Sequence, residues 1–143
     1  MTFFRNFNYR NWYIFSLLLL SLLPVTSKSS NDHTADQILG RWLFPAKGSS
    51  VEVYRNGDRY FARIADVSTT GSQVFGLEKD QLLMRDLVFD GKGWTGGELI
   101  HPKTGHHFGV ELKMVDAQTM TATVYKGYRW LHKEFVLTRP TKV

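Results

Sequence analysis

The sequence predicts an all-β fold, an eight- or nine-stranded antiparallel up-and-down barrel behind a cleaved export signal. Three observations carry this expectation. Beyond residue 40, short β-rich runs alternate with turn signals at close, even spacing. Where the pattern is cleanest, apolar and polar residues alternate with period two, as in a strand with one buried face. Past the N-terminal apolar run, no segment holds a helical stripe for more than a turn or two. The 143 residues allow one domain. Closing a meander of strands into a barrel leaves no unpaired sheet edge, so closure is the economical arrangement.

Residues 1–27 read as a secretory signal peptide. Arg5 and Arg10 charge its start, no acid precedes Asp32, and an apolar run from Trp12 to Val25 is broken only by Ser16, Ser21 and Pro24. That run is shorter than the roughly 20 residues of a membrane-spanning helix, and Val25-Thr26-Ser27 resembles a small-x-small cleavage site. The expected product is exported, periplasmic or extracellular, with no stable membrane span after cleavage. Residues 28–37 read as a polar linker, with one short helix expected from Ala35 to Leu39. Residues 38–143 form the single barrel domain.

Within it, Arg41 to Phe44 is the first strand, ended by Pro45 and Gly48. Val51 to Tyr54 and Tyr60 to Val67 flank Asn56-Gly57-Asp58, a tight-hairpin signal. Ser68 to Ser72 reads as a loop. Leu82 to Met84 and Leu87 to Phe89 are two strands, or one strand with a bulge. Asp90-Gly91-Lys92-Gly93 turns the chain into Trp94 to Ile100, and Pro102 to Gly105 turns it again. His107 to Val115, Met120 to Tyr125 and Arg129 to Arg139 complete the set. Phe108, Val110, Leu112 and Met114 share one strand face, with Glu111 and Lys113 on the other.

The composition excludes several classes of function. There is no cysteine, hence no disulfide, thiolate metal site or cysteine nucleophile. The signal holds two arginines and no acid, so its removal lowers the formal charge of +5 by two. The remaining basic residues are scattered. Arg55, Arg59 and Arg63, the densest set, are interleaved with Asp58 and Asp66 as on a solvated strand face, which argues against a nucleic-acid partner. Gly71-Ser72-Gln73 lacks a nucleophile elbow. Gly91, Gly93, Gly96 and Gly97 lack the strand–loop–helix context of a phosphate loop, and glycines within a strand mark a bend, a bulge or a close approach. The carboxylate pairs Asp86 with Asp90 and Glu98 with Glu111 are hydrolase candidates by position alone. His101, His106 and His107 cluster at one hairpin, where zinc would need Glu98 or Glu111 to complete a ligand set. Turn chemistry accounts for these histidines equally well, so no catalytic residue, metal site or cofactor is assigned.

The two ends of the domain are expected to meet. Gly40-Arg41-Trp42 opens the first strand and Leu137-Thr138-Arg139-Pro140 closes the last. In a barrel these strands are neighbours, so Trp42 plugs one end and the Arg139 guanidinium stacks on its ring. A Gly-x-Trp start with an arginine in the last strand resembles the signature of the calycin barrels, which include lipocalins, fatty-acid-binding proteins and avidins. A longer set of motifs resembles a bacterial secreted family, domain of unknown function 2147. These are Gly40 to Trp42, Val51 to Tyr54, the hairpin Trp94 to Gly105, and Thr138-Arg139, all in the family's order. The resemblance covers about Ile38 to Pro140 and implies a calycin-like barrel and secretion, with no catalytic residue to carry over. The chain departs from the family pattern in a short insert after the third strand, in Phe108 where tyrosine is common, and in an unusually basic and aromatic stretch from Tyr125 to Lys133.

The leading expectation is a non-enzymatic barrel that binds a small apolar or amphipathic ligand. With the Trp42 end plugged, the ligand enters from the other end, past Tyr54, Tyr60, Trp94 and Tyr125, and the tyrosine hydroxyls fix its polar head. Parity runs against Tyr54, because inward Val51 and Val53 place it outside unless a bulge intervenes. Trp94 shares a face with Ile100 by alternation. The alternatives are a filled barrel acting as an envelope interaction or stress module through Tyr128, Arg129 and Trp130, with an unknown protein partner, and a hydrolase.

Overall fold

Each tight turn joins neighbouring strands of one sheet in a computed structural model that describes residues 30–44 and 48–141. The expected signal at 1–27 lies outside the described residues. The strands are β1 (Gly40–Leu43), β2 (Ser50–Asn56), β3 (Arg59–Asp66), β4 (Leu82–Phe89), β5 (Trp94–Ile100), β6 (His107–Asp116), β7 (Thr119–Tyr125) and β8 (His132–Thr138). They pair antiparallel in sequence order, and Leu43 of β1 meets Thr138 of β8 to close an eight-stranded barrel.

Local chemistry sets the register. Asn56 pairs with Arg59 across a two-residue turn, which fixes the β2–β3 hairpin. Asp90 accepts hydrogen bonds from the backbone N–H groups of Lys92 and Gly93, each at 2.8 Å, which shapes the β4–β5 turn. These bonds hold the Asp90 carboxyl below the usual carboxylate range. β4 is one strand, with Asp86 at a positive φ of 59° and register shifts where it meets β3. In β5 the bulge falls at Gly96, whose φ is 71°, and the pairing with β6 shifts between Trp94 and Gly97. A side chain on Gly97 would collide with Leu87. The wall therefore bends and thins beside Trp94.

Two short helices differ from expectation. Ser30–Ala35 forms a helix, α1, followed by a 3-10 turn at Asp36–Ile38, where a polar linker ending in a short Ala35–Leu39 helix was expected. Burial of Ala35 and Ile38 against the barrel orders this segment. Thr69–Phe75 forms a second helix, α2, where a loop was expected. Seven residues are too few to show a stripe, but the end signals are present. The Ser68 Oγ caps the start by accepting from the Gly71 N–H at 2.9 Å, and Gly76 ends the helix in the left-handed region. The last strand starts at His132 rather than Arg129, because turns at Lys126–Tyr128 and Tyr128–Leu131 occupy the residues before it.

The strand ends define two rims. One carries the start of β1, the β2–β3, β4–β5 and β6–β7 turns, and the end of β8. The other carries the β1–β2 loop, the α2 segment, the β5–β6 turn and the β7–β8 loop. Inward residues such as Val53, Ala62, Leu87, Val110, Leu112 and Met120 fill the barrel between the first rim and its waist.

Candidate ligand cavity at the open end of the barrel

The first rim is shut. Trp42 is fully buried, and its indole N–H donates to the Ile38 carbonyl at 2.9 Å. The Arg139 guanidinium lies 3.8 Å from the centre of the Trp42 ring. It donates to the carbonyls of Leu39 at 2.9 Å and Gln37 at 2.6 Å, which ties the 3-10 turn across the barrel end. Burial lowers the Arg139 pKa from its ordinary value. Beside this plug, Tyr60 meets Trp94 edge-on at 6.3 Å and Phe89 lies 4.9 Å from Trp94. The Tyr60 hydroxyl donates to Asp36 at 2.7 Å, and Arg55 donates to the same carboxylate at 2.8 Å. Burial, and then the bond to Asp36, raises the Tyr60 pKa.

The second rim opens into a cavity of about 760 Å³. That is within the size range of small-molecule sites, about 300–1,000 Å³. Its walls come from Leu83 and Met84 of β4, Leu99 of β5, Phe108 of β6, Val124 of β7, and Phe135 and Leu137 of β8. Phe44 stacks on Phe135 at 6.5 Å and meets Phe75 of α2 edge-on at 6.5 Å, so the helix roofs part of the opening. Helix α2 can lie this close because Gly71 is buried against Ser49 and Leu77.

Residues 40–139 match the family model described as "Uncharacterized protein conserved in bacteria (DUF2147)". The chain belongs to the DUF2147 family. Among solved structures it is similar to protein HP1028 from the human pathogen Helicobacter pylori, which belongs to the lipocalin family. The two are 17% identical with a TM-score of 0.58, over 73% of this chain and 83% of that one, which shows a shared fold. No curated protein matches the chain. No helix among the described residues is long and apolar enough to cross a membrane.

In this DUF2147 barrel, three of the four residues expected at the ligand lie away from the cavity. Tyr54 is on the outer face, stacked on Phe61 at 5.5 Å with the Arg63 guanidinium 5.4 Å above it. No bulge rescues its parity, since β2 pairs in unbroken register with β3 from Val51 to Asn56. Tyr60 and Trp94 are inside but at the shut rim, and the Trp94 indole N–H has no partner. The Gly96 bulge shifts the parity of β5, so Leu99 faces the cavity with Trp94 inward, and Ile100 pairs with His107 on the opposite face. Tyr125 does border the mouth. Its ring, however, lies across Gly109, its cross-strand partner, with Arg129 5.9 Å over it. By register it lies on the face opposite Val124, beside His132.

The histidines separate by the same rule. His107 contacts Glu98 at 3.3 Å on the outer face, where Arg85 donates to Glu98 at 2.7 Å. Arg85 first, and then His107, holds the Glu98 carboxyl below its usual range. His101 lines the cavity, and its Nδ1 accepts from the backbone N–H groups of Lys103 and Thr104, each at 3.2 Å. The neutral ring therefore carries its proton on Nε2. Glu111 is paired with Arg129 at 2.7 Å, and Asp86 lies 3.8 Å from Arg85. Neither carboxylate pair converges on a shared cleft.

The sequence reading missed Lys126 and Lys133. Lys133 pairs with Val124 across β7–β8, and both line the cavity with Phe135 and Leu137. Lys126 follows Val124 by two residues and also lines it. The period-two run Lys133, Phe135, Leu137 carries the signal, and it points a lysine inward at the mouth.

Proposed function

We propose that this chain is an exported, non-enzymatic binding protein that holds one small apolar or amphipathic ligand in the open end of its barrel. The observation that carries this reading is the cavity itself: about 760 Å³, apolar along its walls and roofed in part by Phe75. The plugged Trp42 end makes it a single-entry site. The signal-like residues 1–27 support export. The expectation of a filled barrel finds support only at the shut rim. The β7–β8 loop does favour one element of that second reading, a contact face. Tyr128 and Trp130 stack at 6.1 Å there, and Trp130 remains 76% exposed.

The test is titration of the mature protein with the neutral fluorophore N-phenyl-1-naphthylamine. Saturable one-to-one binding is expected. Val124→Trp, at the partly exposed mouth, places an indole in the ligand's space and is expected to weaken binding by roughly tenfold or more, equivalent to about 1.4 kcal/mol. Absence of binding, or equal binding by a folded Val124→Trp variant, refutes the cavity as the site.

A further inference from the structure

We propose that the ligand is a single-chain amphiphile with an anionic head, the head held by Lys126 and Lys133 and the tail lying in the cavity; this rests on the reading of the cavity as a ligand site. The first ground is charge. The ionisable side chains lining the cavity besides Tyr125 are His101, Lys126, His132 and Lys133, and none is acidic. The second is direction. Register puts Lys133 opposite Val124, on the face that continues into Phe135 and Leu137, and Lys126, just past the end of β7, lines the same mouth. Both lysines are exposed at the mouth, so their stems border the apolar wall while their ammoniums stay at its edge.

The third ground is the missing counter-charge. The Lys126 ammonium sits 5.9 Å from the centre of the Phe108 ring, and that of Lys133 sits 5.3 Å from Phe135. Both rings line the cavity. Among the described residues neither lysine has an ion-pair partner. Glu111 is engaged with Arg129 and Glu98 with Arg85 and His107, while Glu134, next to Lys133 in the chain, lies 3.9 Å from His132. An anionic head at this mouth would supply the missing counter-charge and accept charged hydrogen bonds from the ammoniums. His101 adds a neutral donor at the same rim through its Nε2–H. Carboxylate and phosphate-monoester heads share this chemistry.

The experiment is displacement of bound N-phenyl-1-naphthylamine from the mature protein by dodecanoate, dodecyl phosphate and dodecanol, each kept below its aggregation limit. An anion is expected to displace the probe at a concentration lower than dodecanol by about tenfold or more, the value of one charged hydrogen bond. Whichever anion is stronger identifies the head group. Lys126→Gln with Lys133→Gln should abolish the preference, read as the ratio of anion to dodecanol affinity within the same variant. Lys126→Glu with Lys133→Glu should transfer the preference to dodecylammonium. If dodecanol competes as well as both anions, or the double glutamine variant keeps the preference, the head-group assignment falls and the cavity reading stands. If the probe itself does not bind, both fall.

Discussion

Replacing Arg139 with methionine tests the closure of the barrel at one residue. Methionine keeps much of the apolar stem and removes the guanidinium. That group stacks on Trp42 at 3.8 Å and donates to the Leu39 and Gln37 carbonyls at 2.9 and 2.6 Å. The stacking contributes roughly 0.5–2 kcal/mol, and the charged hydrogen bonds about 1.5 kcal/mol or more between them after discounting for partial solvent access. The sum is a loss of roughly 2–4 kcal/mol. At about 4 °C per kcal/mol for a domain of this size, the expected fall in Tm is roughly 8–16 °C. The assay is thermal unfolding followed by far-UV circular dichroism, with near-UV dichroism reporting the environment of the buried Trp42. Arg139→Lys should recover less than half of the loss, because an ammonium has one charge centre and cannot both stack flat and span two carbonyls. An Arg139→Met protein melting within about 2 °C of wild type would refute the view that this contact fastens the barrel end.

Two further outcomes are expected. The Tyr60 pKa is raised in the folded state, so the native protein holds that proton more tightly; the stability it confers is complete below the ordinary tyrosine value of about 10 and is lost as pH rises past it. Tyr60→Phe should therefore be less stable by about 1 kcal/mol near neutral pH, with the gap to wild type narrowing in denaturant titrations between about pH 9 and 11; a gap that widens there contradicts the sign. Intact mass spectrometry of the chain recovered from the cell envelope or medium should show an N-terminus between Thr26 and Ser30, whereas a product beginning at Met1 speaks against a cleaved signal.

The fold was legible because strand signals are local. Asn56-Gly57-Asp58, Asp90 to Gly93 and Pro102 to Gly105 each mark a turn, and the β-rich runs that flank them carry no helical stripe. The Phe108, Val110, Leu112 and Met114 alternation names the inner face of β6, and Val110 and Leu112 are buried there. The short helices were less legible. Helix α1 and the 3-10 turn are stabilised by burial of Ala35 and Ile38, which is tertiary information. Helix α2 had readable ends in Ser68 and Gly76, yet seven residues give no periodicity against which to weigh them.

The site was harder to read because which end of an inward face a residue occupies, and whether parity survives along a strand, decide everything. Tyr60 and Trp94 are both inside, as a reading by alternation requires. Neither lines the cavity at the mouth; they pack on each other near the shut rim. On β5 a single extra residue at Gly96 exchanges the roles of Leu99 and Ile100, and nothing in the local composition distinguishes that bulge from an ordinary strand glycine. β7 and β8 have no bulge near the mouth, and there the alternation holds: Val124 faces Lys133, and Tyr125 faces His132 on the other side. The inward lysine was therefore readable. Tyr125 does not share that face, because it pairs with His132, the neighbour of Lys133 on β8, and adjacent strand residues point to opposite sides. On β8 the alternation thus carries one cation, Lys133, to the rim above the apolar Phe135 and Leu137, a placement that follows from the period-two pattern alone.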